Sequence, residues 1–226
     1  NSDFNTPYFN TYQRVHDLEI TSGGGVAACE RADVLLLQNG SWVVDRPATT
    51  AWFYGAAATP GGDYFVCGDA GEIHRYSGGA WQELSSGTSS TLKDIDMFSD
   101  NRGWAVGLFG TARVWNGTSW QYYSSQTSRF LRGVSGSSDS NAWAVGDLGT
   151  ITHWTGTGFQ VETSGTSNNL YDVAAISDTE AWAVGDNGTV LHHESGAWNL
   201  YTHPNLPADV DFRSIVVNAA DDIMIV

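Results

Sequence analysis

The chain divides into short apolar-rich runs separated by small polar residues. Residues 131–169 show the pattern most clearly. Leu131 to Ser135 forms the first run, and Ser138 to Asn141 makes a polar break. Ala142 to Gly146 is the second run, followed by Asp147-Leu148-Gly149. Thr150 to Trp154 is the third, followed by Thr155 to Gly158. Phe159 to Thr163 is the fourth, and a Ser/Gly/Thr/Asn loop covers 164–169. Each run has the length of a strand, and each break carries the residues that favour turns. The pattern predicts four consecutive strands, A to D, joined by hairpins.

The same unit recurs along the chain. Trp104-Ala105-Val106-Gly107 returns at Trp143-Ala144-Val145-Gly146 and at Trp182-Ala183-Val184-Gly185, in steps of 39 residues. Phe65-Val66-Cys67-Gly68 and Val26-Ala27-Ala28-Cys29 hold the same register earlier. A second series, Trp42, Trp81, Trp120, Phe159 and Trp198, keeps the same period. Four antiparallel strands per unit, repeated at least five times, predict an all-β fold: a β-propeller of four-stranded blades. The Trp-Ala-Val-Gly run is apolar on both faces, as a sheet covered on both sides requires. A β-solenoid is the competing repeat fold, but its coils are shorter and lack this hairpin rhythm.

Strand A is predicted at 14–20, 52–57, 92–98, 131–136, 170–176 and 212–217. That gives six blades, with seven as the alternative. Strands B, C and D follow the first five. Only Ile223 to Val226 follows the sixth, so the last blade is expected to be incomplete. Residues 3–8 fall one period before Trp42 and are expected to supply a strand D that closes the ring. Residues 1–226 are read as one propeller domain, or as a module of a longer protein or larger assembly.

Composition narrows the function. The chain holds 26 glycines, 10 tryptophans and a single lysine, Lys93, which suits short strands and tight turns better than helices. A net charge of −15 excludes the basic stripe that nucleic-acid binding needs. It also disfavours anionic membrane surfaces. No apolar run is long enough for a membrane-spanning helix. Cys29 and Cys67 provide neither a disulfide framework nor metal-ligand spacing, and no metal or cofactor is expected. The absence of an initiating methionine predicts a processed extracellular or periplasmic protein, or an excised piece.

Gly185-Asp186-Asn187-Gly188-Thr189-Val190-Leu191-His192 lies between Ala181-Trp182-Ala183-Val184 and Gly196-Ala197-Trp198. This string resembles propeller repeats of the BNR-like and photosystem II stability/assembly factor-like class. The resemblance covers nearly the whole chain. Trp115-Asn116-Gly117-Thr118-Ser119-Trp120 is faintly similar to the Asp-box turn of that class but lacks its Ser-x-Asp pattern. The class includes assembly factors, sugar-binding proteins and glycosidases, so the resemblance implies a fold and leaves the function open.

Candidate binding residues come from a register where the blades differ. Strand A lines the channel of a propeller. After its leading residue stand Lys93-Asp94, Arg132-Gly133, Tyr171-Asp172 and Arg213-Ser214, with Tyr54-Gly55 and His16-Asp17 in the earlier blades. Structural positions should repeat, and these do not. Lys93, Arg132, Arg213, Tyr171, Tyr54 and Asp172 are therefore the expected ligand-binding residues; charges paired across a solvated channel would be the plainer explanation. Asp69, Asp147 and Asp186 open the B–C turns, where Asp-x-Gly is foremost a turn motif. The D–A loops are rich in Ser, Thr and Asn, and the longest, His203 to Asp211, carries Pro204 and Pro207. His153 and His192 fall one period apart, too far around a ring to share a metal. No paired-carboxylate or nucleophile–base set stands out. The expected function is non-catalytic binding of a protein partner or assembly scaffolding. A lectin-like glycan binder is the alternative, and a sialidase-like enzyme using Arg132, Arg213, Arg14 and a tyrosine ranks third.

Overall fold

The computed structural model describes residues 14–204, 206–219 and 222–226. The first sheet is β1 (Val15–Thr21), β2 (Gly24–Cys29), β3 (Val34–Gln38) and β4 (Ser41–Asp45). The second is β5 (Phe53–Ala58), β6 (Tyr64–Gly68), β7 (Ile73–Ser77) and β8 (Ala80–Leu84). The third is β9 (Leu92–Ser99), β10 (Arg102–Gly107), β11 (Ala112–Trp115) and β12 (Trp120–Tyr122). The fourth is β13 (Leu131–Ser138), β14 (Asn141–Gly146), β15 (Ile151–Trp154) and β16 (Phe159–Glu162). The fifth is β17 (Leu170–Ser177), β18 (Glu180–Gly185), β19 (Val190–Glu194) and β20 (Ala197–Leu200). A sixth pair is β21 (Ile215–Ala219) and β22 (Asp222–Ile225).

Each of the first five sheets is an antiparallel meander whose order in space is its order in sequence. Sequential hairpins need only short turns, and the turn residues supply them. The expected strand D at residues 3–8 lies outside the described residues. The sixth strand A begins at Ile215, three residues later than expected from Phe212. The longer loop before it shifts the register, so that Asp172 meets Ser214 across a separation of 42 residues.

The core lies between the sheets. Trp104 and Trp143 are fully buried and Trp182 is 6% exposed. Each is a strand-B residue that wedges against the next sheet. Trp104 packs with Trp154 and Phe159, and Trp143 packs with Leu191 and Trp198. Phe65 takes the same place against Trp115 and Trp120. These wedges explain the two aromatic series of the sequence: one fills the seam from strand B, the other meets it from strand D. The glycine that closes strand B in blades two to five has a different cause. A Cβ on Gly146 would stand 1.9 Å from the Phe130 carbonyl oxygen, so only glycine lets strand A approach.

Candidate binding face at the channel mouth

The first five A strands carry His16, Tyr54, Lys93, Arg132 and Tyr171 at their second residue, and Arg213 lies two residues before the sixth, β21. The structure brings five of the six predicted residues together in two clusters. Lys93 Nζ lies 3.5 Å from the centre of the Tyr54 ring, and His16 meets the same ring edge-on at 5.0 Å. Arg213 lies 3.8 Å from the centre of the Tyr171 ring and Arg132 lies 5.3 Å from it. Each tyrosine is flanked by basic groups from both neighbouring blades. Stacking of a cation on an aromatic face contributes on the order of 0.5–2 kcal/mol, depending on how dry the site is.

Asp172 behaves differently from the expectation. Its carboxylate accepts the Ile215 amide at 2.9 Å and the Ser214 hydroxyl at 2.9 Å. It ties its blade to the next one. Asp17 accepts the Ala56 amide at 2.8 Å and Asp94 accepts the Val134 amide at 2.7 Å in the same way. Gly55 and Gly133 occupy this register in the intervening blades, where a Cβ would come within 2.8 Å of the Asp94 Cα and 3.0 Å of the Asp172 Cα. The second member of each polar pair is therefore an inter-blade clasp or the space for one. The first member alone faces the mouth.

A second ring of acids surrounds the first. The Tyr54 hydroxyl donates to Asp69 at 3.1 Å, Arg132 pairs with Asp147, and Tyr171 donates to Asp186. Arg213 pairs with Asp211 at 2.7 Å. The B–C turn carboxylates thus bond to strand-A side chains, which Asp-x-Gly turn chemistry did not predict. Burial raises the Tyr54 phenol to about 12, and the carboxylate of Asp69 adds to this. Burial also raises Tyr171, with help from Asp186. Asp186 is pushed up by burial, but the bonds from Tyr171 and Asn169 and the charge of Arg213 outweigh that and lower it.

Lys93 is the exception in this ring. The turn of its own blade carries Leu108 where the other turns carry an acid. Burial lowers its pKa; the more distant Asp69 opposes the shift, and Arg132 adds to it. It makes no ion pair within 4.0 Å among the described residues. The same turn carries Phe109, which is 68% exposed, sits at φ 58° and meets the Phe130 ring edge-on at 5.3 Å. Leu148, at the matching place in the next blade, is 51% exposed with φ 54°. Left-handed backbone at non-glycine residues costs about 1 kcal/mol or more, and it here turns apolar side chains toward solvent. Trp52, 40% exposed, stands on the same rim.

Shallow hollows also recur where a B–C turn meets the following D–A loop. One of about 400 Å³ is lined by Ala70 and Thr88, one of about 540 Å³ by Leu148 and Thr166, and one of about 410 Å³ by Asn187 and Ala208. His153 and His192 each stack on the tryptophan of their own blade, Trp143 and Trp182, at 4.6 and 3.8 Å. Both cysteines are buried and unbonded.

Several solved structures share this architecture. YCF48 bound to a D1 peptide matches with a TM-score of 0.72 at 20% identity, over 94% of this chain and 74% of that one. The chain is a β-propeller. The WD40 repeats of RRP9 match with a TM-score of 0.78 at 13% identity, over 95% of this chain and 74% of that one. The WD40 propeller domain of Doa1 matches with a TM-score of 0.63 at 12% identity, over 95% and 90%. At such identities the likeness establishes the fold alone. No family model and no curated protein matches the sequence.

The sequence signal for Lys93, Tyr54, Arg132, Tyr171 and Arg213 was their variation within a repeat. Phe109, Leu148 and Trp52 were missed. Phe109 and Leu148 occupy turn positions where Ala70 and Asn187 stand in other blades, so an apolar residue where a turn wants a small or polar one was the available signal.

Proposed function

We propose that this propeller is a non-catalytic protein-binding module whose channel mouth holds an acidic side chain of its partner against Lys93. The observation that carries the reading is Lys93 itself: a half-buried ammonium over Tyr54, with Leu108 and not an acid opening the B–C turn of its own blade. The partner's acid supplies the charge that Leu108 withholds. Phe109, Leu148 and Trp52 are exposed apolar side chains in or next to the B–C turns and strand-A starts, and they supply apolar surface of the kind that protein interfaces bury. YCF48, a propeller of the same architecture, has been solved with a bound peptide, and the repeat resembles the BNR-like and photosystem II assembly factor-like class; both support a peptide or protein as ligand. The raised phenols of Tyr54 and Tyr171 disfavour a tyrosine nucleophile and so a sialidase-like reaction.

The test is an array of peptides carrying Asp or Glu between apolar residues, alongside the same peptides with Asn or Gln. Acidic peptides should bind selectively. Lys93→Ala should weaken them roughly 10- to 100-fold, the scale of a charge-assisted hydrogen bond in a partly dry site. Equal binding by Lys93→Ala would end the proposal.

A second reading is a lectin-like glycan binder, favoured by the three similar hollows beside the turns. Binding on a glycan array that survives Lys93→Ala would support it over the first.

A further inference from the structure

An asparagine followed by glycine can lose its side-chain amide without an enzyme, because glycine leaves the next backbone nitrogen unshielded. The chain contains three such pairs: Asn39-Gly40, Asn116-Gly117 and Asn187-Gly188. All three lie in turns, and they differ in what holds them. Asn187-Gly188 is pinned by the loop before the sixth blade. The Gly188 amide donates to the Val210 carbonyl at 2.6 Å, the Asn187 amide donates to Asp211 at 3.2 Å, and the Asn187 side chain donates to Asn168 at 3.4 Å. The nitrogen that would attack is already engaged. Asn116 is held by its own turn. Its side-chain oxygen accepts the Thr118 amide at 3.0 Å, the Thr118 hydroxyl at 2.9 Å and the Ser119 amide at 2.9 Å. Swinging that side chain onto the Gly117 nitrogen breaks all three bonds.

Asn39-Gly40 has no such restraint. The pair is the two-residue loop of the β3–β4 hairpin, between the paired residues Gln38 and Ser41. Its φ values of 51° and 76° are those of the tight turn that Asn-Gly favours. Both residues are exposed, and a Cβ on Gly40 would meet nothing within 4 Å. Among the described residues neither the Asn39 side chain nor the Gly40 amide has a hydrogen-bond partner. The attack needs the backbone to leave the turn conformation, and here that disturbs only the tip of one hairpin.

We propose that Asn39 is the site at which the folded protein modifies itself, converting to a mixture of aspartyl and isoaspartyl residues. The Gly40 nitrogen forms a bond to the Asn39 Cγ and gives up its proton; the bond from Cγ to the side-chain nitrogen breaks, and ammonia leaves with that proton. The five-membered imide then takes up one water. Cleavage at the side-chain carbonyl gives the aspartyl form, and cleavage at the backbone carbonyl gives the isoaspartyl form. Either product adds one negative charge. The isoaspartyl form routes the backbone through Cβ and lengthens a loop that has only two residues, so the facing of Gln38 and Ser41 is lost and β4, the outer strand of blade one, loosens. The turn joins strands C and D, at the opposite end of the sheet from the B–C turns, so the outcome does not depend on Lys93.

The test is incubation of the full chain in mildly alkaline buffer, with peptide mapping by mass spectrometry over time. Conversion at Asn39 should run roughly tenfold or more ahead of Asn116 and Asn187 in the folded protein. In concentrated urea the three sites should convert within about threefold of one another, because the restraints are then gone. Amides of β4 in the isoaspartyl fraction should exchange roughly tenfold faster than in the parent, while those of β14 stay unchanged. Asn39→Gly keeps a residue suited to positive φ and so keeps the turn. It should hold the isoelectric point of the whole chain constant over the interval in which the parent turns more acidic. Conversion at Asn116 or Asn187 as fast as at Asn39 would overturn the proposal. So would an unconverted Asn39 in the folded chain, the same ranking in urea, or continued acidification of Asn39→Gly.

Discussion

At the residue scale the inner ring of carboxylates is the most unusual chemistry in the molecule. Asp96 accepts the Gly136 amide at 2.6 Å, and burial raises its pKa to about 6 against that bond. Burial likewise raises Asp17 to about 6, with Asp172 and Asp96 adding repulsion, and raises Asp94 and Asp172. The sign follows from proton counting. Between about pH 4 and pH 6 the native state binds more protons at these groups than the unfolded state does. Stability from Asp17 and Asp96 therefore falls as pH rises through that window, and Asp94 and Asp172 act in the same direction. Asp96 is partly open to the channel, which trims the effect to roughly 1–3 kcal/mol. Urea denaturation at pH 5 and pH 8 should show the wild type more stable at the lower pH. Asp96→Asn keeps an acceptor for Gly136 and should narrow that difference.

At the element scale the strands were legible because alternation, turn residues and a fixed period agreed. β14 and β18 lie within a residue of where the Trp-Ala-Val-Gly motif puts them. The sixth strand A was displaced because Pro204 and Pro207 sit in a loop whose length no repeat constrained. The site was legible only in part. Variation picked out Tyr54, Lys93, Arg132, Tyr171 and Arg213, but it could not distinguish the outward-facing first residue of each pair from the clasping second one, as with Asp172. That distinction depends on inter-blade hydrogen bonds, which sequence spacing does not encode. Two substitutions check the packing account. Gly146→Ala forces a Cβ into the Phe130 carbonyl and should destabilise by more than about 2 kcal/mol. Trp143→Ala empties the fourth seam and should cost about 3–5 kcal/mol in chemical denaturation.

At the scale of the whole molecule, charge and ligand pull in opposite directions. The net charge is −15, while the proposed partner presents an acid to Lys93. Long-range repulsion slows the encounter and local pairing holds the complex. Raising salt should therefore speed association of an acidic peptide, measured by stopped flow, whereas Lys93→Ala should act mainly on its dissociation. The inner clasps have a further consequence. Asp17, Asp94 and Asp172 bind blade one to two, three to four and five to six, while Gly55 and Gly133 stand at the junctions between those pairs. The glycine junctions are bridged by other bonds, the Gly61 amide donating to Asp100 at 2.9 Å and the Ala175 amide to Ser135 at 3.1 Å, so none of the five described junctions is a free parting line and amides on either side of each should exchange as one cooperative body.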